Sequence, residues 1–217
     1  MNLNTTKKNG GETPPFAVSL KDICKSFGPV RANDSISLDV LSGTIHGIIG
    51  ENGAGKSTLM SILYGFYQPD SGQIELDGIL TNFRQPSEAI AMGIGMVHQH
   101  FMLVPNFTAL ENIVLGSEGK NGLQVGLQIA RKKLKELSQT YGLQVELDSI
   151  TEELPVGIQQ RIEILKALYR GARVLILDEP TGVLTPQETD LLFEILKALK
   201  SEGVTILLIT HKLHEVM

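Results

Sequence analysis

The stretch GENGAGKST, from Gly50 to Thr58, matches the pattern G-x-x-x-x-G-K-[ST], with an apolar segment before it and a helical pattern after it. Its glycines let the backbone turn N–H groups inward around phosphate oxygens. Lys56 can reach β- and γ-phosphates, and Ser57 offers a hydroxyl ligand for Mg²⁺. We therefore predict a nucleotide site, here called the P-loop, whose contacts are Gly50, Glu51, Asn52, Gly53, Ala54, Gly55, Lys56, Ser57 and Thr58.

The acidic segment VLILDEP complements this loop. Its four apolar residues predict a buried strand that carries Asp178 and Glu179 at its carboxyl end, beside the P-loop. Asp178 is suited to hold Mg²⁺ through the water shell of the ion, and Glu179 to take a proton from an attacking water. Without a P-loop, the same residues would be interpreted as solvated carboxylates at a strand end.

Two further strand ends carry polar side chains that fit nucleotide hydrolysis. Gln99 ends the strand IGMVHQ, where it can reach water and Mg²⁺, and His211 follows VTILLIT, where it can contact the γ-phosphate. Alternatively, each is an ordinary strand-end residue whose hydrogen bonds are satisfied locally. His98 and His100 flank Gln99 and invite a metal-site interpretation, but the sequence offers no third ligand.

The predicted elements place these residues in an α/β core. Alternating runs from Phe16 to Ser42 predict antiparallel strands, whereas TIHGIIG, VLILD and VTILLIT are continuous apolar runs typical of a parallel sheet covered on both faces. A turn is predicted at Pro69 to Gly72, a short helix from Ser87, and helical periodicity from Thr108 to Arg170. We therefore predict a P-loop NTPase core with a parallel sheet, a small antiparallel β subdomain and an inserted helical subdomain at about residues 100–170.

The composition bounds the class of protein. The chain has 217 residues, a formal net charge of −5 and a sequence pI of about 5.6, so we expect one large domain and no nucleic-acid partner. Its single cysteine, Cys24, excludes an internal disulfide and fits a reducing compartment. No apolar run reaches the roughly 18 residues of a membrane span. If the protein acts at a membrane, we therefore expect it to bind a partner on the cytoplasmic face.

The two ends of the chain carry separate predictions. Residues 1–15, MNLNTTKKNGGETPP, are polar, lack the apolar core of a signal peptide and are predicted to form a disordered arm. The domain is predicted to cover residues 16–217. Because HKLHEVM starts a helix and then stops, we expect the domain to be truncated at its C-terminal end.

From Phe16 to Met217 the sequence resembles the ATP-binding domain of ABC transporters. The resemblance rests on the order of the motifs, which is P-loop, Gln99, signature helix, Asp-Glu pair and His211. The stretch LPVGIQQ, Leu154 to Gln160, corresponds to the family's L-S-G-G-Q and is here called the signature. The segments MVHQHFMLVPNFTALENIVLG and VGIQQRIEILKALYRGARVLILDEPTGVLTPQE are similar to importers of nucleosides and simple sugars, which usually carry two such domains in one chain.

This resemblance implies ATP and Mg²⁺ as cofactors, with Ser57, Gln99 and Asp178 around the metal. It also implies a second ATP-binding domain that faces the first head to tail, so that each ATP lies between one P-loop and the other domain's signature, here through Gly157 and Gln159. Phe27 is implied to stack on adenine, although a core phenylalanine at a strand end is the alternative.

The resemblance further implies partners at the membrane. The groove around Gln99 and the helical insert resembles the dock for a coupling helix of a transmembrane permease. A solute-binding protein would take part indirectly. The implied location is therefore the cytoplasmic face of the cell membrane, as a peripheral protein.

The signature departs from the family pattern. Pro155 stands where the signature Ser usually is, and Val156 replaces its first Gly. Thr185 stands where an Asp commonly follows the Asp-Glu-Pro-Thr segment. Because proline has neither an N–H nor a side-chain donor, we expect two unequal ATP sites in the full protein.

Three other functions compete with that of an importer ATPase. A soluble ABC ATPase of translation or DNA repair would be expected to carry basic patches, which this acidic sequence lacks. A GTPase switch would need an Asn-Lys-x-Asp motif, and the sequence has none. A regulatory module that binds nucleotide without hydrolysing it is disfavoured by Glu179 and His211.

Overall fold

The computed structural model describes residues 16–117 and 123–212, without side-chain detail at 123–125. The predicted arm at residues 1–15 and most of the predicted terminal helix, residues 213–217, lie outside the described residues. In chain order the strands are β1 (Phe16–Phe27), β2 (Val30–Leu41), β3 (Ile45–Ile49), β4 (Ser71–Leu76), β5 (Ile79–Thr81), β6 (Ile94–Val97), β7 (Val174–Asp178) and β8 (Thr205–Thr210). The helices are α1 (Lys56–Leu63), α2 (Pro86–Ala91), α3 (Ala109–Val114), α4 (Leu123–Tyr141), α5 (Val156–Tyr169) and α6 (Pro186–Ser201).

The alternating N-terminal runs form β1 and β2, which pair antiparallel as predicted for the segment from Phe16 to Ser42. With β4 and β5 they make an antiparallel sheet of strand order β2-β1-β4-β5. The predicted turn at Pro69 to Gly72 is only partly right, because Ser71 pairs with Cys24 and so belongs to β4. The short strand β5 was not predicted from the sequence. It forms a hairpin with β4 through Asp77 and Gly78, which both have positive φ, and Asp-Gly is a common hairpin turn.

The continuous apolar runs form a parallel sheet with the strand order β3-β8-β7-β6, which confirms the predicted α/β class. Successive residues of β7 belong to two different cores: Leu175 and Leu177 pack with the helices that follow β6, and Ile176 packs with α1 and the antiparallel sheet. Strand β3 is less buried than expected, with Ile49 43% exposed. It lies at the edge of the sheet, where it has only one neighbouring strand.

The helical region between β6 and β7 consists of separate segments. They are α3, α4, a 3-10 turn at Thr151–Glu153, and α5. Thr108 caps α3, since its hydroxyl accepts a hydrogen bond from the Glu111 N–H while the Glu111 side chain accepts one from Thr108. The short helix α2 begins at Pro86, one residue before its predicted start. Among the helices that the structure describes, none is long and apolar enough to cross a membrane.

Candidate nucleotide-binding site

The carboxyl ends of the four parallel strands bring the predicted polar groups to one edge of the sheet. The P-loop follows β3 and leads directly into α1. Asp178 ends β7, and Glu179 comes next. Gln99 lies two residues after β6, and His211 directly after β8. Ligands of open α/β sheets bind outside this edge, so the topology explains why residues far apart in the sequence meet here.

The P-loop is closed on itself by its lysine. Lys56 Nζ donates to the carbonyl oxygens of Gly50 at 2.7 Å and Glu51 at 2.8 Å. Gly55 precedes α1 with a φ of 84°, and a Cβ built on it would lie 2.1 Å from the Ala32 carbonyl oxygen. Only glycine therefore fits there. Helix α1 has no acidic residue in its first turn, which leaves its amino-terminal N–H groups suited to an anion.

Ser57 and Asp178 join the P-loop to β7. The Ser57 hydroxyl donates to Asp178 Oδ1 at 3.1 Å. Burial raises the pKa of the Asp178 carboxyl, an effect that the Ser57 hydrogen bond opposes. A hydroxyl and a carboxylate at this distance are the oxygen donors that Mg²⁺ prefers, and a divalent cation would offset the cost of the buried charge. The residues present therefore fit a magnesium ion.

Glu179 is the centre of a second cluster. Its Oε2 accepts from Gln99 Nε2 at 3.2 Å, and its Oε1 lies 3.1 Å from His211 Nδ1. The Glu179 backbone has a φ of 48°, a conformation that costs a non-glycine residue free energy and is concentrated at functional sites. The structure thus brings together the three residues that sequence analysis placed at separate strand ends.

An open cleft of about 470 Å³ extends from this cluster along the P-loop. Phe27 forms part of its wall, 42% exposed, with its ring edge-on to Tyr67 at a centroid distance of 5.1 Å. Exposure at a cleft wall does not fit the alternative of a core residue, and the stacking role of Phe27 stays a prediction. Among the described residues, the cleft lining includes Asn52, Gly53, Ala54, Gly55, Lys56, Ser57, Thr58, Gln99 and Glu179.

The signature lies elsewhere, at the start of α5, and none of its residues lines this cleft. Pro155 is the residue before the helix and gives it no side-chain cap. Val156 is 39% exposed, whereas Gly157 is buried. The Gln159 amide donates to the Leu154 carbonyl oxygen at 2.9 Å. The structure therefore does not bring Gly157 and Gln159 to the P-loop of the same chain.

Sequence analysis did not identify three residues that contact the P-loop, the signature or the segment after Glu179. Asn33 donates to the Gly55 carbonyl oxygen at 3.2 Å, and buried Gln160 donates to the Pro180 carbonyl oxygen at 2.7 Å. Glu188 approaches Gly157 from α6. Only Glu188 had a readable signal, the spacing T-x-x-E from Thr185, which is typical of a helix capping box.

The alternative of a metal site at His98 and His100 gains no support. His98 packs against the rings of Tyr64 and Phe66, and burial lowers the pKa of its imidazole. Within residues 16–117 and 126–212, no group of three His, Cys, Asp or Glu side chains could hold a metal ion.

Comparison with known proteins places this site in a family. The family model described as ABC transporter matches residues 33–182. The nucleoside import ATP-binding protein NupA of Lactococcus lactis is 53% identical over 92% of this chain and 39% of its own length. The guanosine import ATP-binding protein NupO of Bacillus subtilis is 50% identical over 88% of this chain and 38% of its own length. The chain thus spans about two fifths of the length of these curated relatives.

Solved structures give the same result for the fold. An ATP-binding cassette of an ABC transporter in its ADP conformation superposes with a TM-score of 0.81 at 27% identity, covering 93% of this chain and 83% of that one. A dimeric bacterial ABC transporter cassette superposes with a TM-score of 0.78 at 28% identity, covering 91% and 89%. A dimeric cassette in a post-hydrolysis state with ADP and Pi matches with a TM-score of 0.74 at 28% identity, covering the same shares. With its P-loop, its two sheets and these matches, the chain belongs to the ABC transporter family as a nucleotide-binding domain.

Proposed function

We propose that this chain is the ATP-binding and ATP-hydrolysing domain of an importer, with nucleosides or simple sugars as the solutes. The observation that carries the proposal is the cluster of Gln99, Glu179 and His211 beside the P-loop. Binding alone needs no carboxylate held from two sides at this position, whereas hydrolysis needs a base. The choice of solute is supported by the names of relatives, which include import proteins for nucleosides, guanosine, glucose and ribose.

In the proposed mechanism the P-loop first binds the phosphates of ATP. Lys56 exchanges the carbonyl oxygens of Gly50 and Glu51 for phosphate oxygens, and the N–H groups at the start of α1 face the same anion. Ser57, Asp178 and the amide oxygen of Gln99 are the proposed ligands of Mg²⁺, directly or through water. When bound, this ion neutralises charge on the β- and γ-phosphates.

Glu179 then serves as the general base. One of its carboxylate oxygens accepts a proton from the water that attacks the γ-phosphate. Gln99 and His211 hold the carboxylate in place from two sides. Phe27, in the wall of the cleft, is proposed to stack on adenine.

The second half of each site is proposed to come from another ATP-binding domain, in a head-to-tail pair. Three features support this: the separation of the signature from the cleft, the dimeric cassettes among the similar structures, and the length of the relatives. Gly157 and Gln159 would then face ATP held by the other domain. Since Pro155 offers no donor, that ATP is proposed to be held more loosely.

The proposed partners are transmembrane permease subunits, with a solute-binding protein acting indirectly. The groove around Gln99 and the helices between β6 and β7 is the proposed dock for the permease. The proposed location of the domain is therefore the cytoplasmic face of the membrane. Nucleic acid is not a proposed partner, in keeping with the net charge of −5.

The proposal is tested by Glu179→Gln in the full-length protein assembled with its permease. The change keeps the shape of the side chain and removes the base, so ATP turnover should fall at least about 100-fold while Mg-ATP still binds. Phosphate release measures turnover, and filter binding of radiolabelled ATP measures binding.

Asp77→Asn is the matched control, because Asp77 is also an acidic residue with positive φ and a paired carboxylate, 2.7 Å from Arg173. Its turnover should stay close to that of the unchanged protein. Normal turnover in Glu179→Gln would move the base to another residue and remove the main support for hydrolysis at this cluster.

A further inference from the structure

The carboxylate of Glu188 lies at the starts of two helices at once. Its Oε2 accepts from the Thr185 N–H and from the Thr185 hydroxyl, both at 2.9 Å, and thereby caps α6. Its Oε1 faces α5, where a Cβ built on Gly157 would lie 2.6 Å away. A Cβ at position 157 would push this flexible carboxylate aside, so glycine allows its close approach.

Helix α5 brings no anion of its own to this end. Its first turn contains no acidic residue, and Pro155 supplies no side-chain cap. Over its 14 residues the helix presents a partial positive charge at its start, which Glu188 meets from outside. The pKa of the Glu188 carboxyl is lowered mainly by hydrogen bonds from the Thr185 N–H and hydroxyl. The Gly157 N–H and the charge of Arg161 lower this pKa further. The group is therefore negatively charged at neutral pH.

We propose that the negative charge of Glu188, which lies against Gly157, lowers the affinity of this signature for the nucleotide of the other domain. The inference rests on the proposed function, because only a head-to-tail pair brings a foreign phosphate to this helix start. The carboxylate of Glu188 and the terminal phosphate would then compete for the same N–H groups, and their negative charges would repel one another.

This effect adds to the one already assigned to Pro155. Pro155 removes donors from the signature, whereas Glu188 adds an anion beside the N–H group that remains at Gly157. Pro155 precedes α5 and Glu188 lies in α6, so each can be changed without the other. A purely structural role for Glu188 would give the opposite sign, since a loosened helix start would bind phosphate less well.

The test uses the full-length protein with Lys56→Ala, so that the P-loop of this domain is silent and the remaining nucleotide faces this signature. Binding of a fluorescent ATP analogue with Mg²⁺ is titrated without permease, before and after adding Glu188→Gln. Removing one charge should tighten binding about 3- to 10-fold, the scale of a single partly screened charge. The gain should shrink between 0.1 M and 1 M salt, as the Debye length falls from about 10 Å to about 3 Å.

Glu111→Gln is the matched control, since Glu111 forms the same capping box with Thr108 at the start of α3. Both variants should lower the thermal midpoint by a similar small amount, because each removes a charged helix cap. Only Glu188→Gln should change nucleotide affinity.

Unchanged or weaker binding in Glu188→Gln would overturn the inference while leaving the proposed function intact, provided that the Lys56→Ala protein still binds one nucleotide. A gain that does not respond to salt would also overturn it, because the effect would then not come from charge. Loss of all nucleotide in Lys56→Ala would overturn the inference and the head-to-tail pairing on which it rests, since no second site would exist, while ATP binding at the P-loop of this domain would stand.

Discussion

The two helix starts of this domain that are proposed to face phosphate differ in what already surrounds them. Both α1 and α5 begin without a side-chain cap and without an acidic residue in the first turn. At α1, Gly55 and Lys56 leave room for an anion and add a positive charge. At α5, Pro155 withholds an N–H and Glu188 brings a negative charge. We therefore propose that an open helix start is not sufficient for a strong anion site, because the residues around it decide its strength.

The polar groups on the two sides also differ in how they are held. On the P-loop side, Ser57 bonds Asp178, and Glu179 is held by both Gln99 and His211. On the signature side, the Gln159 amide bonds the carbonyl oxygen of Leu154 in the preceding turn. Glu179 is thus already oriented by two partners, whereas Gln159, like Lys56, would have to exchange a carbonyl oxygen for a ligand.

The largest expected effect is on ATP affinity at the P-loop, the stronger of the two proposed phosphate sites. Lys56→Ala removes a charge and its hydrogen bonds to phosphate, so ATP affinity at the P-loop should fall about 100-fold or more. Titration of this domain with a fluorescent ATP analogue measures the change. Lys133→Ala is the control, because Lys133 also donates to a backbone carbonyl, that of Tyr169 at 2.7 Å, but lies outside the cleft. Equal affinity in the two variants would remove the P-loop assignment.

A smaller effect is expected on ATP binding at the signature, the weaker of the two proposed phosphate sites. Pro155→Ser restores both an N–H and a hydroxyl at the signature, so ATP held by the other domain should bind roughly 10-fold more tightly, the scale of one hydrogen bond to a charged group. Pro155→Ala restores the N–H alone and should recover only part of this gain. Nucleotide occupancy in the assembled full-length protein, with the P-loop of this domain silenced, measures both. No gain in either variant would mean that Pro155 is not the cause of weak binding.

The smallest effect concerns Phe27. Losing a stacked aromatic ring costs about 1 kcal/mol, so Phe27→Ala should weaken ATP binding roughly 5-fold. Binding of inorganic triphosphate, which lacks a base, should not change. Phe16→Ala is the control, because Phe16 is another exposed phenylalanine on the same strand. A similar loss for triphosphate and ATP would show that Phe27 acts through the shape of the P-loop and not through adenine.

The sequence was sufficient to predict which residues meet on the P-loop side, because the signals for that side are local. A strand, a glycine-rich turn and a helix follow one another around Lys56, and each apolar run ends within two residues of a polar residue that enters the site. The rule that parallel strands share one carboxyl edge then brings Gln99, Glu179 and His211 together. Each of these steps needs only the order of elements along the chain.

What the sequence could not predict depends on contacts between distant elements. The approach of Glu188 to Gly157 requires the relative placement of α5 and α6, and the contact of Asn33 with Gly55 requires that of two sheets. The exposure of Ile49 was likewise not predicted from its continuous apolar run. No periodicity or motif encodes these distances.

The central claim is that the working site is built on the P-loop of this domain and the weaker site on its signature. The direct measurement is solute uptake by the assembled transporter in vesicles, with the P-loop lysine replaced by alanine in one domain at a time. Lys56→Ala should stop uptake, whereas the same change in the second domain should leave part of it. Equal loss of uptake in the two variants would contradict the account.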